Sequence, residues 1–259
     1  MPSWDSGQYL QFAKERTQPA LDLAARVTLA EPSRVIDLGC GPGNSTAVLR
    51  ERWPKAALTG LDNSPAMLAA ARKLLPDASW IESDITSWAS RAADHGYDLV
   101  FSNAALQWVP HHGALLPRLM EAVSPGGALA FQVPHSLQSP HQGIIRDLAL
   151  SSTWKSRFVQ QPGSWHVESP HFYYDALAGH TSRVEVWRTE YVHVLEGPEA
   201  IVEWYRGTGL RPFLEQLPDE SSRAGFLRDY LVAVTSAYPR QPNGRVLMPF
   251  PRLFVIAYR

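Results

Sequence analysis

Residues 35–44 read Val-Ile-Asp-Leu-Gly-Cys-Gly-Pro-Gly-Asn, and this stretch decides the fold. Its first half is a short apolar run that predicts a buried strand, and residues 44–53 have the spacing of a helix. Glycines at positions 39, 41 and 43 separate the two elements. Glycine allows a tight turn and a close approach to a ligand, and the N-terminus of a helix offers N–H groups to it. The stretch therefore predicts a strand, a ligand-binding turn and a helix.

The alternation of strands and helices continues from this point. Further strands are predicted at residues 56–62, 79–84, 97–102 and 128–133, with helices beginning at Ser64-Pro65 and at His112. Strands joined by helices predict βαβ units and a parallel sheet. Residues 183–195 and 245–259 predict two later strands. We expect an α/β fold with a doubly wound, seven-stranded, mostly parallel sheet into which the last strand is inserted antiparallel.

The second half of the chain is less regular than the first. Residues 135–170 lack a clean periodicity and predict an irregular cap segment. Helices are predicted at residues 171–178, 200–205 and 219–238. We therefore expect one domain over residues 1–259, with a core and a helical cap. The core takes residues 30–134, 180–195 and 219–259, and the cap takes 1–25 and 135–217 without the 180–195 strand.

The composition excludes several classes of protein. One cysteine in 259 residues allows no intramolecular disulfide, so a secreted disulfide scaffold is excluded. The 24 basic and 25 acidic residues argue against a partner that is a nucleic acid or an anionic membrane. No apolar run reaches the length of a membrane span, and the first residues do not resemble a signal peptide. A cytoplasmic location is expected.

Two aspartates at predicted strand ends indicate the ligand. Asp37 precedes the first glycine of a G-x-G-x-G spacing, whereas a dinucleotide pyrophosphate favours G-x-G-x-x-G. A carboxylate at Asp37 would repel a pyrophosphate and suit a ligand with cationic groups, such as the sulfonium and ammonium of S-adenosylmethionine. Asp62 ends the second strand and could accept hydrogen bonds from both ribose hydroxyls. The spacing therefore favours S-adenosylmethionine over NAD.

Other polar residues follow the same strand ends. Asp84 could accept a hydrogen bond from an adenine amino group with Ile85 on the ring face, although a helix N-cap is the alternative for Asp84. Asn103, Gln107 and Trp108 follow the fourth strand, where open α/β sheets bind ligands. The predicted cofactor residues are Asp37, Gly39, Cys40, Gly41, Asn44, Asp62, Asn63, Met67, Asp84, Ile85, Asn103 and Gln107.

Three segments together resemble the class I S-adenosylmethionine-dependent methyltransferases, whose fold is Rossmann-like. They are Val35-Ile-Asp-Leu-Gly-Cys-Gly-Pro-Gly-Asn-Ser, Leu61-Asp-Asn-Ser-Pro-Ala-Met-Leu and Ser102-Asn-Ala-Ala-Leu-Gln-Trp-Val. The flanking segments resemble the trans-aconitate 2-methyltransferases, among them Tyr9-Leu-Gln-Phe, His171-Phe-Tyr-Tyr-Asp and Thr208-Gly-Leu-Arg-Pro. This resemblance spans nearly the whole chain. It implies esterification of one carboxylate of trans-aconitate to a monomethyl ester, with S-adenosylhomocysteine as the other product.

Candidate residues for a polycarboxylate substrate are cationic or aromatic. They are Arg16, Trp108, His111, Tyr173, Tyr174, Arg206 and Arg211, and Tyr9 and Trp108 are predicted to position the reactants. The alternatives are core packing for the aromatic residues, a solvated loop for His111 and surface ion pairs for the arginines. The histidines lack the spacing of a zinc site, so no metal is expected. Cys40 is interpreted as a small filler within the turn, because no activating base is indicated.

The expected reaction needs no general base. A carboxylate is already ionised at pH 7, so alignment and exclusion of water would be enough. Two other classes remain open at this point, an NAD-dependent oxidoreductase and a cofactor-binding module without its own catalysis. The residues also leave open whether the acid is trans-aconitate, cis-aconitate, isocitrate or a related acid, which carboxylate reacts, and the oligomeric state.

Overall fold

The computed structural model describes residues 13–91, 96–158 and 165–259, with side chains from residue 17 onwards in the first range. Tyr9 lies outside the described residues, and Arg16 is described only as a backbone position in a helix. Among the described residues, no helix is both long enough and apolar enough to span a membrane.

The described chain forms seven strands. They are β1 (Arg34–Leu38), β2 (Ala57–Asp62), β3 (Ser79–Glu82), β4 (Tyr97–Asn103), β5 (Val123–Pro134), β6 (Arg183–Leu195) and β7 (Val246–Tyr258). Its α-helices are α1 (Ala13–Arg26), α2 (Asn44–Arg52), α3 (Pro65–Leu74), α4 (Ile85–Ala89), α5 (His112–Glu121), α6 (Pro140–Leu150), α7 (Pro170–Ala178), α8 (Pro198–Arg206), α9 (Arg211–Leu214) and α10 (Glu220–Ala237). Short 3₁₀ helices lie at Leu106–Trp108 and Lys155–Arg157.

The strands form one sheet in the order β3-β2-β1-β4-β5-β7-β6. Strands β1 to β5 pair in parallel, and β7 pairs antiparallel with β5. The central strands β1 and β4 are almost entirely buried, as expected for a parallel sheet covered by helices on both faces. The predicted doubly wound, mostly parallel sheet with an inserted antiparallel strand is confirmed.

Two compact units divide the chain. Unit 1 contains residues 1–134, 166–189 and 252–259, and unit 2 contains residues 135–165 and 190–251. This division differs from the predicted core and cap. Helix α1 belongs to unit 1, where it packs against α2 and β5, and α10 belongs to unit 2, where it packs against α6 and α8. Both helices bury an apolar face, and sequence alone does not tell which partner covers such a face.

The predicted elements match the observed ones most closely in the first half. Ser64 caps α3, and its hydroxyl accepts from the backbone N–H of Met67, with Pro65 at the first helical position. Strand β5 begins at Val123, five residues before its predicted start, so its Ser-Pro-Gly-Gly segment lies inside the strand. The segment at 135–170 was predicted to be irregular, but it contains α6, which begins with Pro140 after Ser139.

Candidate active site

The glycine turn between β1 and α2 has left-handed backbone at its three glycines. Their φ angles are 71° at Gly39, 55° at Gly41 and 96° at Gly43. The backbone N–H groups of residues 39 and 40 both donate to the carbonyl of Leu61, at 2.7 and 3.0 Å. A Cβ atom on Gly39 would collide with the side chain of Ala105. Glycine is therefore needed at position 39 both for its φ angle and for close packing against the segment after β4.

Asp62, at the end of β2, joins two loops. Its Oδ2 accepts from the backbone N–H of Gly41 and its Oδ1 from that of Ser64, both at 2.9 Å. Burial raises the pKa of this carboxyl above its ordinary value, while these backbone hydrogen bonds lower it. A carboxylate oxygen can accept more than one hydrogen bond, so both oxygens can still accept one from a hydroxyl group of a ligand. Asp62 is thus a suitable acceptor for a ribose diol.

A cavity of about 340 Å³ opens at the carboxyl ends of β1, β2 and β4. This volume lies within the range of small-molecule sites, roughly 300–1,000 Å³. The structure brings nine of the predicted residues together around it: Gly39, Gly41, Asp62, Asn63, Met67, Asp84, Ile85, Asn103 and Trp108. The other lining residues include Leu61, Thr86, Ala104, Val109 and Pro110. They were not predicted, because nothing in their residue types or their places in the sequence marks them as site residues.

Asp84 is a helix N-cap and also lies at the cavity, so its role toward an adenine amino group stays a prediction. It caps α4 by accepting from the backbone N–H of Ser87 at 2.8 Å, and it also lines the cavity. The hydrogen bonds from Ser87 hold the pKa of this carboxyl below its ordinary value. Asp84 therefore stays ionised at neutral pH and keeps a free acceptor position for a ligand amino group.

Asp37 differs from its predicted place. It is fully buried and is absent from the described lining of the cavity. Its Oδ2 accepts from the hydroxyls of Ser45 and Thr46, at 2.6 and 2.7 Å, at the start of α2. Its Oδ1 has no hydrogen-bond partner among the described residues. Its carboxylate thus places a negative charge behind the glycine turn, where it would favour a cation in the cavity through a low-dielectric medium.

Burial raises the pKa of Asp37 to about 6, and this shift makes stability depend on pH. As pH rises from 4 to 7, the unfolded chain releases this proton before the folded chain does, so the folded state loses stability. The loss is about 2 kcal/mol, because one pKa unit corresponds to roughly 1.4 kcal/mol and the carboxyl of the unfolded chain is already partly ionised at pH 4. We expect Asp37→Asn to gain about this much relative to wild type between pH 4 and pH 7.5, measured by urea unfolding.

A control for this measurement is Asp147→Asn, at an exposed position on α6. It removes the same charge from a side chain that lies in solvent, and so measures the effect of the substitution without the burial. An Asp37→Asn difference that stays constant with pH would show that Asp37 ionises in the folded protein as readily as in the unfolded chain.

Three more of the predicted cofactor residues lie outside the cavity lining. Cys40 is buried, and burial raises the pKa of its thiol far above the ordinary value. Gln107 is buried and its Nε2 donates to the carbonyl of Ala104 at 2.7 Å. Asn44 is the first residue of α2. Side chains in a turn or a short helix can point to either side of it, so nearness in the chain does not decide whether these three residues reach a ligand, and their roles stay predictions.

The predicted aromatic residues have different surroundings. Trp108 lines the cavity and is 37% exposed, which fits a wall between two ligands. Tyr174 is exposed on α7. Tyr173 is fully buried in the core of unit 1, and its hydroxyl forms a 2.9 Å hydrogen bond with Nδ1 of His112. This burial favours the core-packing alternative for Tyr173, and its predicted role in binding substrate stays a prediction.

The predicted basic residues lie on the surface or in ion pairs. His111 is exposed before α5 with a φ of 60°. Arg206 lies 3.6 Å from Glu203, and Arg211 donates from Nε to Oε1 of Glu215 at 2.8 Å. Their roles in binding an acid stay predictions. In the part of the chain that the structure describes, no three acidic, histidine or cysteine side chains are grouped as a metal site would require.

Two buried polar side chains were missed in the sequence. Gln132 on β5 and Arg252 on β7 are both buried in unit 1. Each interrupts an apolar run, Ala128-Leu-Ala-Phe before Gln132 and Leu253-Phe-Val-Ile after Arg252. A polar residue inside a run that predicts a buried strand is the signal that could have found them, because buried polar groups are costly unless they are paired.

The side chains that line the cavity fit S-adenosylmethionine. Asp62 can accept from a ribose and Asp84 from an adenine amino group, while Leu61, Met67 and Ile85 supply apolar surface for the ring. The buried charge of Asp37 favours the cationic end of the ligand.

Comparison with known proteins agrees with this assignment. Residues 35–127 match a family model described as a methyltransferase domain. The chain is 50% identical over 260 residues to a trans-aconitate 2-methyltransferase of Methylobacterium nodulans, covering 100% of this chain and 99% of the relative. It is 46% identical to the protein of that name from Azoarcus sp., over 100% of both chains.

Solved structures of low sequence identity share the fold. The YcgJ protein of Bacillus subtilis has a TM-score of 0.62 at 11% identity, covering 93% of this chain and 98% of its own. A phosphoethanolamine N-methyltransferase of Haemonchus contortus, solved with S-adenosylhomocysteine, has a TM-score of 0.56 at 15% identity, covering 96% of this chain and 57% of its own. The full-length relatives exclude the oxidoreductase alternative and confirm the predicted methyl-donor cofactor. The chain therefore belongs to the trans-aconitate 2-methyltransferase family of S-adenosylmethionine-dependent methyltransferases.

Proposed function

We propose that this protein transfers a methyl group to one carboxylate of trans-aconitate and forms the monomethyl ester. The observation that carries the proposal is the similarity over the whole chain to proteins of that name, at 43–50% identity in Methylobacterium nodulans, Azoarcus and Yersinia pestis. The methyltransferase family model matches only residues 35–127, which lie in unit 1. The relatives also match the rest of the chain, including unit 2. Similarity over both units supports a shared substrate as well as a shared cofactor.

The cofactor residues are those around the cavity. Asp62 would bind the ribose and Asp84 the adenine amino group of the cofactor, and Gly39 and Gly41 would form the adjoining wall of the cavity. When bound, S-adenosylmethionine supplies an electrophilic methyl group on a positively charged sulfur. The protein's part is to hold the carboxylate of the acid in line with that group and to exclude water.

Charge favours this reaction in a dry site. The reacting carboxylate is an anion and the donor a cation, so charge is neutralised as they approach and water is not needed to stabilise separated charges. The indole of Trp108 forms part of the cavity wall and would help to exclude water once both reactants are bound. No side chain has to remove a proton, since carboxylates are ionised well below pH 7.

The roles predicted for Arg16, His111, Tyr174, Arg206 and Arg211 in binding the acid are part of this proposal, as is the positioning role of Tyr9. A substrate with three carboxylates needs several cationic or multi-donor partners, and the guanidinium group is the best suited of these. A cytoplasmic location also belongs to the proposal, supported by the single, buried cysteine, since disulfide-stabilised proteins belong to oxidising compartments.

The direct test supplies labelled S-adenosylmethionine with trans-aconitate, cis-aconitate, isocitrate or citrate. Transfer of label into a base-labile monomethyl ester of trans-aconitate, with the highest kcat/KM of the four acids, is the expected result. Absence of transfer to every acid, despite binding of S-adenosylhomocysteine, would refute the proposed substrate class.

The pH dependence of the same reaction tests the nucleophile. We expect kcat to stay flat from about pH 6.5 to 8.5, because the pKa of a carboxylate nucleophile lies far below this range. A stopped assay in buffers of constant ionic strength measures it. A rate that rises tenfold per pH unit would instead indicate a hydroxyl, amine or thiol nucleophile.

A further inference from the structure

A chain of buried polar side chains leads from β7 to the cavity. Arg252 donates from Nη1 to Oε1 of Gln132 at 3.4 Å, and Gln132 donates from Nε2 to Oδ1 of Asn103 at 2.5 Å. Gln132 and Arg252 are buried, and Asn103 lines the cavity. All three belong to unit 1. We refer to these three residues as the amide relay.

The sheet brings the relay together across three strands. Asn103 on β4 is the direct register partner of Gln132 on β5, so the two side chains lie on the same face. Gln132 pairs with Phe254 on β7, and Arg252 is two residues from Phe254 and therefore on the same face of that strand. The side chains thus meet because of the register of the sheet, and loop conformation is not involved.

The arginine determines the direction of every hydrogen bond in the relay. A guanidinium has donors only, so Gln132 must turn its oxygen toward Arg252. Its NH₂ group then faces Asn103, whose oxygen must accept. The part of the Asn103 amide that remains for a ligand is its NH₂ group, which can only donate. A donor at this point selects a ligand atom that accepts, and an anionic oxygen accepts best.

The NH₂ group of Asn103 matters because the charged side chains of the cavity would repel a carboxylate. Among the described lining residues, the charged side chains are Asp62 and Asp84, and both are acidic. A carboxylate in the same cavity is repelled by them unless a donor holds it elsewhere. Asn103 lies on β4, beyond β1 from the strand that carries Asp62. The buried guanidinium of Arg252 lies on the far side of Gln132 from Asn103.

We infer that Gln132 and Arg252 are positioning residues that hold the Asn103 amide as a donor for a carboxylate of the bound reactants. The inference rests on the proposed function insofar as one source of that carboxylate is the acid substrate. The other source is the amino-acid carboxylate of the cofactor. Both present the same chemistry to Asn103, and the measurements below separate them.

The decisive variant is Gln132→Glu. A glutamate still accepts from Arg252, so the pair remains and becomes an ion pair. Both glutamate oxygens are acceptors, however, so Asn103 must turn its NH₂ group toward residue 132 and present its oxygen to the ligand. The polarity at the cavity is thereby reversed without any change to a lining residue. We expect at least a tenfold loss of affinity for the carboxylate-bearing ligand and no decrease in Tm.

Two measurements identify the ligand. Calorimetry without acid gives the Kd of S-adenosylhomocysteine, and initial rates give KM for trans-aconitate. A tenfold rise in Kd assigns the relay to the cofactor, and a tenfold rise in KM with Kd unchanged assigns it to the substrate. If wild type methylates no acid, the proposed function fails, and the Kd alone still tests the relay.

Controls separate polarity from general damage. The ligand 5′-methylthioadenosine lacks the amino-acid carboxylate. If the relay acts on the cofactor, Gln132→Glu should therefore bind this ligand with the same affinity as wild type. Gln18→Glu, at an exposed position on α1, adds the same charge and should leave Kd and KM unchanged. Asn103→Asp provides a second route to the reversed polarity, should Gln132→Glu not fold.

Kd and KM both within twofold of wild type in a folded Gln132→Glu or Asn103→Asp variant would overturn the inference. So would equal losses of affinity for S-adenosylhomocysteine and 5′-methylthioadenosine, since a purely structural defect would weaken both.

Discussion

Replacing Asp62 with asparagine is expected to weaken the binding of S-adenosylhomocysteine about a hundredfold, which corresponds to roughly 2.7 kcal/mol. The two oxygens of Asp62 each accept one hydrogen bond, from the backbone N–H groups of Gly41 and Ser64. An asparagine keeps one of these oxygens and places an NH₂ group against the other N–H, so two donors face each other. The variant also loses the charge on the proposed hydrogen bond to the ribose, worth about 1.5–3 kcal/mol. Isothermal titration calorimetry measures the effect.

Asp98→Asn is a matched control for this substitution. Asp98 also accepts hydrogen bonds from two backbone N–H groups, those of Ser33 and Arg34, both with Oδ2, at 2.7 and 3.0 Å. It lies at the beginning of β4, whereas the cavity is at the carboxyl ends of the strands. An asparagine can still accept both hydrogen bonds with its one oxygen, so Asp98→Asn removes the same charge and should leave the affinity unchanged. Wild-type affinity in Asp62→Asn would remove Asp62 from the binding site.

Replacing Tyr173 with alanine is expected to lower the free energy of unfolding by about 3–5 kcal/mol, the usual cost of removing a buried aromatic side chain. Its ring packs edge-on against Phe131, with centroids 5.3 Å apart, and its hydroxyl is paired with His112. Tyr173→Phe should cost about 1–3 kcal/mol, because it leaves the buried Nδ1 of His112 without this partner. Urea unfolding monitored by circular dichroism gives both values.

The neighbouring Tyr174 is a natural control, since it lies on the same helix and is 52% exposed. Tyr174→Ala should change the stability by no more than about 0.5 kcal/mol. If Tyr173→Phe instead kept wild-type stability and raised KM for the acid, Tyr173 would be a substrate residue and its place in the core would need another explanation.

The sequence predicts the parts of this fold that depend on local signals. Apolar runs that end at glycine or proline located the central strands, and Ser64-Pro65 located the start of α3. Asp62 and Asp84 were found because the carboxyl ends of parallel strands meet at one edge of the sheet, so position in the chain predicts position in the cavity. Helix α6 was missed because residues rich in Ser, Pro and His give no clear periodicity.

The differences between the predicted and the observed site come from the direction of side chains. Asp37 follows a strand and precedes a glycine turn, yet its carboxylate turns toward the start of α2. Tyr173 and Tyr174 are adjacent and chemically identical, but a helix turns them to opposite environments. Gln132 and Arg252 meet only through the register of β5 and β7, across some 120 residues of sequence. No local pattern records such a contact.

The antiparallel insertion of β7 also determines the order in which the protein is completed during synthesis. Residues 128–134 of β5 pair with residues 252–258, which the ribosome adds only after all of unit 2 has been made. Strands β1 to β5 therefore leave the ribosome with one edge of the sheet open, and β6 has no neighbour until β7 arrives. Arg252 reaches Gln132 only at this final step. A nascent chain can thus form the glycine turn and the Asp62 contacts early, but the side of the cavity that contains Asn103 acquires its fixed hydrogen-bond direction last.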